Sequence, residues 1–242
     1  MLEEFYKYVN KYDLSNGDIK RKYEHSIRVM NLCIKYAKML NYSDDDIELI
    51  SIIGLLHDIG RFEQYARYKR YDDYNTIDHG DLGVIILREN NLIGRFTNRV
   101  KDYDLILFAI KNHNKFSIEK CNDSRYLKFT KLIRDIDKLD IIYLCGYLGE
   151  FRCVANGDLI SDKIMESIKS NKIINRKDVL NNNDKLAMFF AFVFDINNDI
   201  ILKEFKQNIY YFYKKIGGTN IFKEVYDTVV KYIDERIDNN VR

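Results

Sequence analysis

Apolar residues along this chain recur three and four positions apart in nearly every segment that carries them, which is the period that gathers side chains on one face of a helix. Glu3 to Tyr12 reads as a short amphipathic helix closed by the polar turn Asp13-Leu14-Ser15-Asn16-Gly17-Asp18. A second helix is expected from about Ile19 to Leu40, with His25, Val29, Leu32 and Tyr36 on one stripe, so that His25 faces inward. Ser43 followed by Asp44, Asp45 and Asp46 marks the next start, a hydroxyl cap with carboxylates in the first turn, where the helix dipole favours them. That helix is read as Asp46 to Ile59, with Leu49, Ile50, Ile53 and Leu56 toward a core and Ile52 and Ile59 at the margins. Gly60 is expected to release it and to leave Arg61 at the rim.

Phe62 to Lys69 offers one or two further turns, Tyr71 to Asn75 is a polar loop, and Thr76 can cap a helix that carries His79 on the side of Leu82, Ile85 and Ile86. Tyr103 to Asn112 reads as a buried helix closed by His113. A long helix from Ser124 runs through Leu132, Ile133, Ile136 and Leu139 toward Leu148, with Asp137 at the edge of its buried stripe. After Gly149 the punctuation changes: Asn156-Gly157, Asn181 to Asn183 and Asn197-Asn198 separate three or four helices that hold no histidine. Gly217-Gly218-Thr219 ends one of these and caps the last, which runs to about Ile237. No strand pattern or repeat emerges. The expected fold class is all-α, with one domain over residues 1–150 and a helical C-terminal lobe over residues 151–242 packed on it.

Composition narrows the picture. The 242 residues contain no proline, so the helices lack their strongest internal breaker, and 46% hydrophobic content supplies a core. No apolar run approaches the roughly 18 to 20 residues that span a bilayer, and Met1-Leu2-Glu3-Glu4 lacks the basic opening of a signal peptide. A cytoplasmic protein with no membrane partner is expected. Thirty-nine basic against thirty-seven acidic residues give a net charge of +2, which argues against a dedicated nucleic-acid binder and leaves room only for a local basic patch. Cys33, Cys121, Cys145 and Cys153 are widely spaced with no C-x-x-C pair, and read as buried reduced thiols.

The chemistry gathers where the apolar run Ile52 to Leu56 ends in His57 and Asp58. Burying an imidazole and a carboxylate costs several kcal/mol unless each has a partner. Neighbouring helical residues point about 100° apart, so the two converge only on something lying between them, as a divalent cation does. All four histidines of the chain, His25, His57, His79 and His113, fall on an inward stripe or at the end of a buried helix. A core histidine with a backbone partner explains any one of them; four together, with Asp58 and Asp137, make a nitrogen and oxygen donor set suited to Fe, Mn, Co, Ni or Zn. Arg61, Arg67, Lys69 and Arg70 form a basic segment able to hold phosphate oxygens, weighed against plain solvated charge, and Tyr65, Tyr68, Tyr71 and Tyr74 are read as ordinary surface or core tyrosines. Lys115 is a candidate for reaching a leaving-group oxygen, and Asp135 for accepting a ligand's N–H.

The order His25, adjacent His57-Asp58, then Asp137 inside Leu132-Ile133-Arg134-Asp135-Ile136-Asp137-Lys138-Leu139-Asp140 resembles the HD domain of metal-dependent phosphohydrolases, over roughly Lys20 to Ile142. The resemblance implies an HD-domain helical bundle in which His25, His57, Asp58 and Asp137 bind one metal. It further implies that His79 and His113 occupy the positions where binuclear members place two more ligands, with Asp58 bridging. A phosphohydrolase acting on a nucleotide or another small phosphorylated metabolite through metal-activated hydroxide follows, with one or two divalent transition-metal ions. Asp58, Arg61 and Lys115 become catalytic candidates, and Arg61, Arg67 and Lys115 candidate phosphate contacts. Arg61 stands where many relatives have lysine, and nothing after Gly149 matches a motif of the family. Two rival classes are a di-iron oxygenase of similar six-ligand helical architecture, which needs iron and O₂, and a non-catalytic nucleotide or metal sensor worked by the C-terminal lobe.

Overall fold

The periodicity of the sequence becomes helices throughout: the computed structural model describes residues 1–151, 153–157, 159–218 and 220–239, and no strand occurs among them. Two units are distinguished, Met1–Ile136 and Asp137–Arg242, and the division falls inside a continuous helix.

The first unit contains α1 (Leu2–Val9), α2 (Gly17–Met39), α3 (Asp44–Leu56), α4 (Ile59–Tyr68), α5 (His79–Arg88), α6 (Tyr103–Asn112) and the start of α7 (Ser124–Tyr143). Helix α3 packs along α2 and against α6, and α5 lies between α4 and α6. The apolar stripe on α3 predicts burial of one face, yet every residue from Leu49 to Gly60 is buried, so after its solvent-facing first turn the helix is enclosed on all sides. Side chains cap the free amides at its start and at that of α2: Asn16 Oδ1 accepts from Asp18 N at 2.9 Å and Ser43 Oγ from Asp46 N at 3.2 Å. At α5 the cap is Asp78, which accepts from Asp81 N at 3.0 Å; Thr76, the expected cap, instead turns its hydroxyl to the Asp72 carbonyl.

Gly60 corrects the sequence reading in a second place. It does not end a helix but lies in the first turn of α4, so that His57 closes α3 and Asp58 precedes α4. A Cβ at Gly60 would lie 2.2 Å from the His79 carbonyl oxygen and 2.8 Å from Gly83 N. Glycine is there because the backbones of α4 and α5 touch, which brings the start of α5 up to Asp58.

The second unit holds the end of α7, a π-helical turn at Leu144–Leu148, α8 (Asp162–Lys169), α9 (Asn182–Ala191), α10 (Asp199–Lys215) and α11 (Asn220–Asn239). Its core is aromatic, built on Phe190, Phe205, Phe212 and Phe222. Asp184, fully buried, accepts from Ser161 N and Leu180 N, both at 2.9 Å, and so ties two loops to α9. Among the described residues, four α-helices after Gly149 agree with the expectation, while the expected cap Thr219 lies outside them. None of the four cysteines forms a disulfide; Cys33, Cys145 and Cys153 are buried, whereas Cys121 is half-exposed rather than buried. No described helix is long and apolar enough to cross a membrane.

Candidate metal centre

Helix packing in the first unit delivers five polar side chains to one interior point. His25 comes from the middle of α2, His57 closes α3, Asp58 follows it, His79 opens α5 and His113 closes α6. None is more than 2% exposed. Asp58 lies at the centre. Its Oδ2 is 3.5 Å from His25 Nε2 and 3.6 Å from His57 Nε2, and its Oδ1 is 3.0 Å from His79 Nε2 and 3.7 Å from His113 Nε2. The nitrogens also pair with each other, His25 with His57 at 3.1 Å and His79 with His113 at 2.9 Å. Two groups result, His25, His57 and Asp58 on one side and Asp58, His79 and His113 on the other, each with ligand atoms within 4.8 Å of one another.

The far side of three rings decides what the near side offers. His57 Nδ1 lies 2.8 Å from the Gly54 carbonyl and His113 Nδ1 lies 2.7 Å from the Ile110 carbonyl. A carbonyl only accepts, so each Nδ1 carries the proton and donates it, and each Nε2 can present a lone pair. His79 Nδ1 lies 2.8 and 2.9 Å from the two carboxylate oxygens of Asp73, the arrangement that orients metal-bound histidines. Nitrogen and carboxylate donors without thiols suit a divalent first-row ion, so the donor set fits the group that the resemblance implies.

Electrostatics keep the central carboxylate ionised and set a proton against an ion at His79. Burial alone would raise the pKa of Asp58. The Lys22 ammonium at 2.6 Å from Oδ2, with His57, His113 and His79, outweighs it and holds the carboxyl well below its usual range. For His79, burial and Arg61 push down, but Asp73 and Asp58 win and the imidazole is raised. Asp73 is driven far down, because His79 and Arg61 outweigh its burial.

The basic residues expected to hold phosphate separate. Arg61 places its guanidinium fork on Asp73, at 2.9 and 3.1 Å, while its Nε, 3.6 Å from Asp58 Oδ1, has no hydrogen-bond partner. Arg67 is 52% exposed and pairs with Glu63 at 2.7 Å, so it is not brought to the cluster. Lys115 is held by Asp81 at 2.6 Å and Asp78 at 3.0 Å, beside the start of α5. Tyr68 and Tyr74 are exposed, and Tyr71 donates to the Asp18 carbonyl at 2.9 Å. Asp135 is fully buried, and Asp137 is 9% exposed on α7 as the first residue of the second unit. The sequence reading does not single out four further polar residues: Lys22, Asp73, Gln64 and Arg134. Lys22 stands one turn before His25 on α2, a spacing that could have exposed it, whereas Asp73 and Gln64 carry no such mark. Buried Arg134 donates to the Asn112 and Lys115 carbonyls, each at 2.7 Å, and so fixes the end of α6 that carries His113.

Against known proteins, residues 23–142 match the family model of the HD domain, a span that includes every residue of the cluster and Asp137. Neither the curated proteins nor the solved structures gave a match. HD domains are mostly metal-dependent hydrolases and bind divalent ions. Since the ordered histidines and aspartates, the carboxylate they share and the matched span all coincide, the chain belongs to the HD domain family through residues 23–142.

Proposed function

We propose that this chain is a metal-dependent phosphohydrolase that cleaves a phosphate ester of a nucleotide or another small phosphorylated metabolite. The observation that carries the reading is the two-sided Asp58, with one oxygen facing His25 and His57 and the other facing His79 and His113. A single ion needs only one of those sides. His25, His57, Asp58 and Asp137 are assigned to one ion, and Asp58, His79 and His113 to a second. The place of Asp137 within the span that matches the HD domain supports its inclusion.

Divalent ions held there supply Lewis acidity toward phosphoryl oxygens and lower the pKa of water at neutral pH. The remaining work falls to the chain. His57 and His113 keep their lone pairs toward the centre because backbone carbonyls hold the opposite nitrogens. Buried α3 keeps bulk water from the back of the site, which strengthens every charge interaction in front of it. Lys22 and the unpartnered Nε of Arg61 border Asp58 and are placed to offset negative charge on a bound phosphate. Arg67 and Lys115, tied to carboxylates elsewhere, receive no substrate contact in this reading.

Elemental analysis of the purified chain, with an anaerobic screen of nucleotides and sugar phosphates in the presence of Zn²⁺ or Ni²⁺, tests the proposal. Phosphate release without oxygen is expected. Turnover that requires both iron and O₂ would overturn it in favour of oxygenase chemistry, and a chain that binds no metal would overturn it in favour of a non-catalytic module.

A further inference from the structure

The loop between α4 and α5 carries one residue with more partners than a loop usually provides. Asp73 accepts the Arg61 fork, Nη1 to Oδ1 at 2.9 Å and Nη2 to Oδ2 at 3.1 Å. It also accepts Gln64 Nε2 at 2.9 Å, the His79 backbone amide at 3.3 Å, and His79 Nδ1 on both oxygens at 2.9 and 2.8 Å. Gln64 is itself fully buried and pinned, donating to the Ile77 carbonyl at 2.8 Å and accepting from Arg61 Nη1 at 2.8 Å. Arg61 and Gln64 project from one turn of α4, so a rigid helix sets where the Asp73 carboxylate stands.

A simple tie between loop and helix is complete once the Arg61 fork is made. The contacts to His79 go further, because they fix both which nitrogen of the ring bears hydrogen and how the ring is turned. His57 and His113 obtain the same service from backbone carbonyls of their own helices. His79 cannot, because it is the first residue of α5 and has no preceding turn of that helix to lean on.

We propose that Asp73 is the positioning residue for the His79 side of the centre: it holds His79 with Nε2 aimed at the ion shared with His113 and Asp58, and Arg61 and Gln64 hold Asp73. The inference rests on the two-ion reading above and adds that the two ions depend on different parts of the chain. Arg61 is then needed as a guanidinium, because an ammonium cannot make the parallel pair of bonds.

The test counts Zn²⁺ sites on the full chain by calorimetric titration after chelator treatment, with bound metal checked by elemental analysis. Wild type should bind two ions. Asp73→Ala should keep one at wild-type affinity and weaken the other by about 10- to 100-fold, the usual cost of losing a partner behind a ligand. Arg61→Lys should weaken the same ion by less, and the double variant should be no worse than Asp73→Ala, since both act through one contact. Nitrogen-15 spectra of the histidines supply a second readout: His79 should lose its fixed Nδ1–H state in Asp73→Ala, and His57 should keep its own. If Asp73→Ala fails to fold, Arg61→Lys and Asp73→Asn carry the test with the same one-sided loss expected. Wild-type affinity at both sites in the folded variants overturns the inference alone, as does equal weakening of both. A wild-type chain that binds only one ion overturns the two-ion reading and the inference with it.

Discussion

His25 and His57 face Oδ2 of Asp58 from the middle of α2 and the end of α3, two helices packed along each other, whereas His79 and His113 face Oδ1 from the start of α5 and the end of α6. In the first half, the outer nitrogen of His57 leans on its own backbone, which no side-chain substitution removes. In the second half, His79 leans on a loop carboxylate that is itself braced from α4. His113 leans on its own backbone as His57 does, so the contrast rests on His79: one shared carboxylate joins a half set by helix packing to a half in which one of the two histidines is set by side-chain hydrogen bonds. Perturbations should therefore divide into those that strike both halves and those that strike only the second.

The largest effect belongs to Asp58, the one residue common to both. Asp58→Ala should abolish binding of both ions and, through loss of several kcal/mol of transition-state stabilisation, lower kcat/KM by about a thousandfold or more. Metal content by elemental analysis and a circular dichroism check of the fold measure this. Full retention of metal by the folded variant would sink the assignment of the centre.

The double change His79→Ala/His113→Ala is aimed at one half. Metal content should drop from about two ions per chain to about one, with the remaining ion on His25, His57, Asp58 and Asp137, and activity should fall by about a hundredfold. Loss of both ions would mean that the halves are not separable. Retention of two would remove His79 and His113 from the ligand set.

The contrast also explains what could be read from the sequence. Each histidine lies on, or at the end of, a helix whose apolar period is plain, so inward placement of His25, His57, His79 and His113 was legible, as were the all-α class and the capping of α3 by Ser43. Gly60 was misread because a glycine after an apolar run resembles a helix stop, while here it serves the approach of the His79 carbonyl, a partner distant in sequence. Thr76 and Asp78 both offer an oxygen near the start of α5, and only the folded loop decides between them. Asp73 sits in a polar loop with no period at all, and its importance arises from Arg61, Gln64 and His79 closing around it. Helix-borne positions are thus written as spacing; the supports behind them are written only as contacts.

Proton competition gives a smaller and graded difference between the halves. The His79 pKa is raised above its ordinary value, Asp73 and Asp58 outweighing burial and Arg61. In metal-free protein the charged imidazole therefore contributes stability that is fully present below about 6.5 and is lost as pH rises through the raised folded value. An ion at Nε2 must displace that proton, so the affinity of the second half should fall by about tenfold for each pH unit below the folded pKa. Zn²⁺ titrations from pH 8 downward in buffers of different ionisation enthalpy measure both the fall and the proton released. In Asp73→Ala the fall should begin at lower pH, because the main cause of the raised value is gone. Affinity on the His79 side that stays constant across this range would contradict the arrangement.

The smallest effect should come from Arg67, and its smallness is informative because Arg61 and Arg67 are borne by the same helix and differ only in what they meet. Arg61 forks onto Asp73 and comes within 3.6 Å of Asp58, while Arg67 is 52% exposed and pairs with Glu63 one turn back. Exposed pairs of that kind contribute about 0 to 1 kcal/mol, since water screens both charges and two long side chains lose freedom to meet. Glu63 has a second partner in Tyr12, whose hydroxyl donates to it at 3.0 Å, so it is not stranded when the arginine goes. Arg67→Ala should accordingly shift stability by no more than about 0.5 kcal/mol, leave both ions bound, and keep KM for any phosphate substrate within about twofold. Denaturant melts, metal analysis and steady-state kinetics on one preparation test all three. A several-fold rise in KM at unchanged metal content would bring Arg67 back to the substrate and show that the basic segment after Asp58 acts as a whole, not through Arg61 alone.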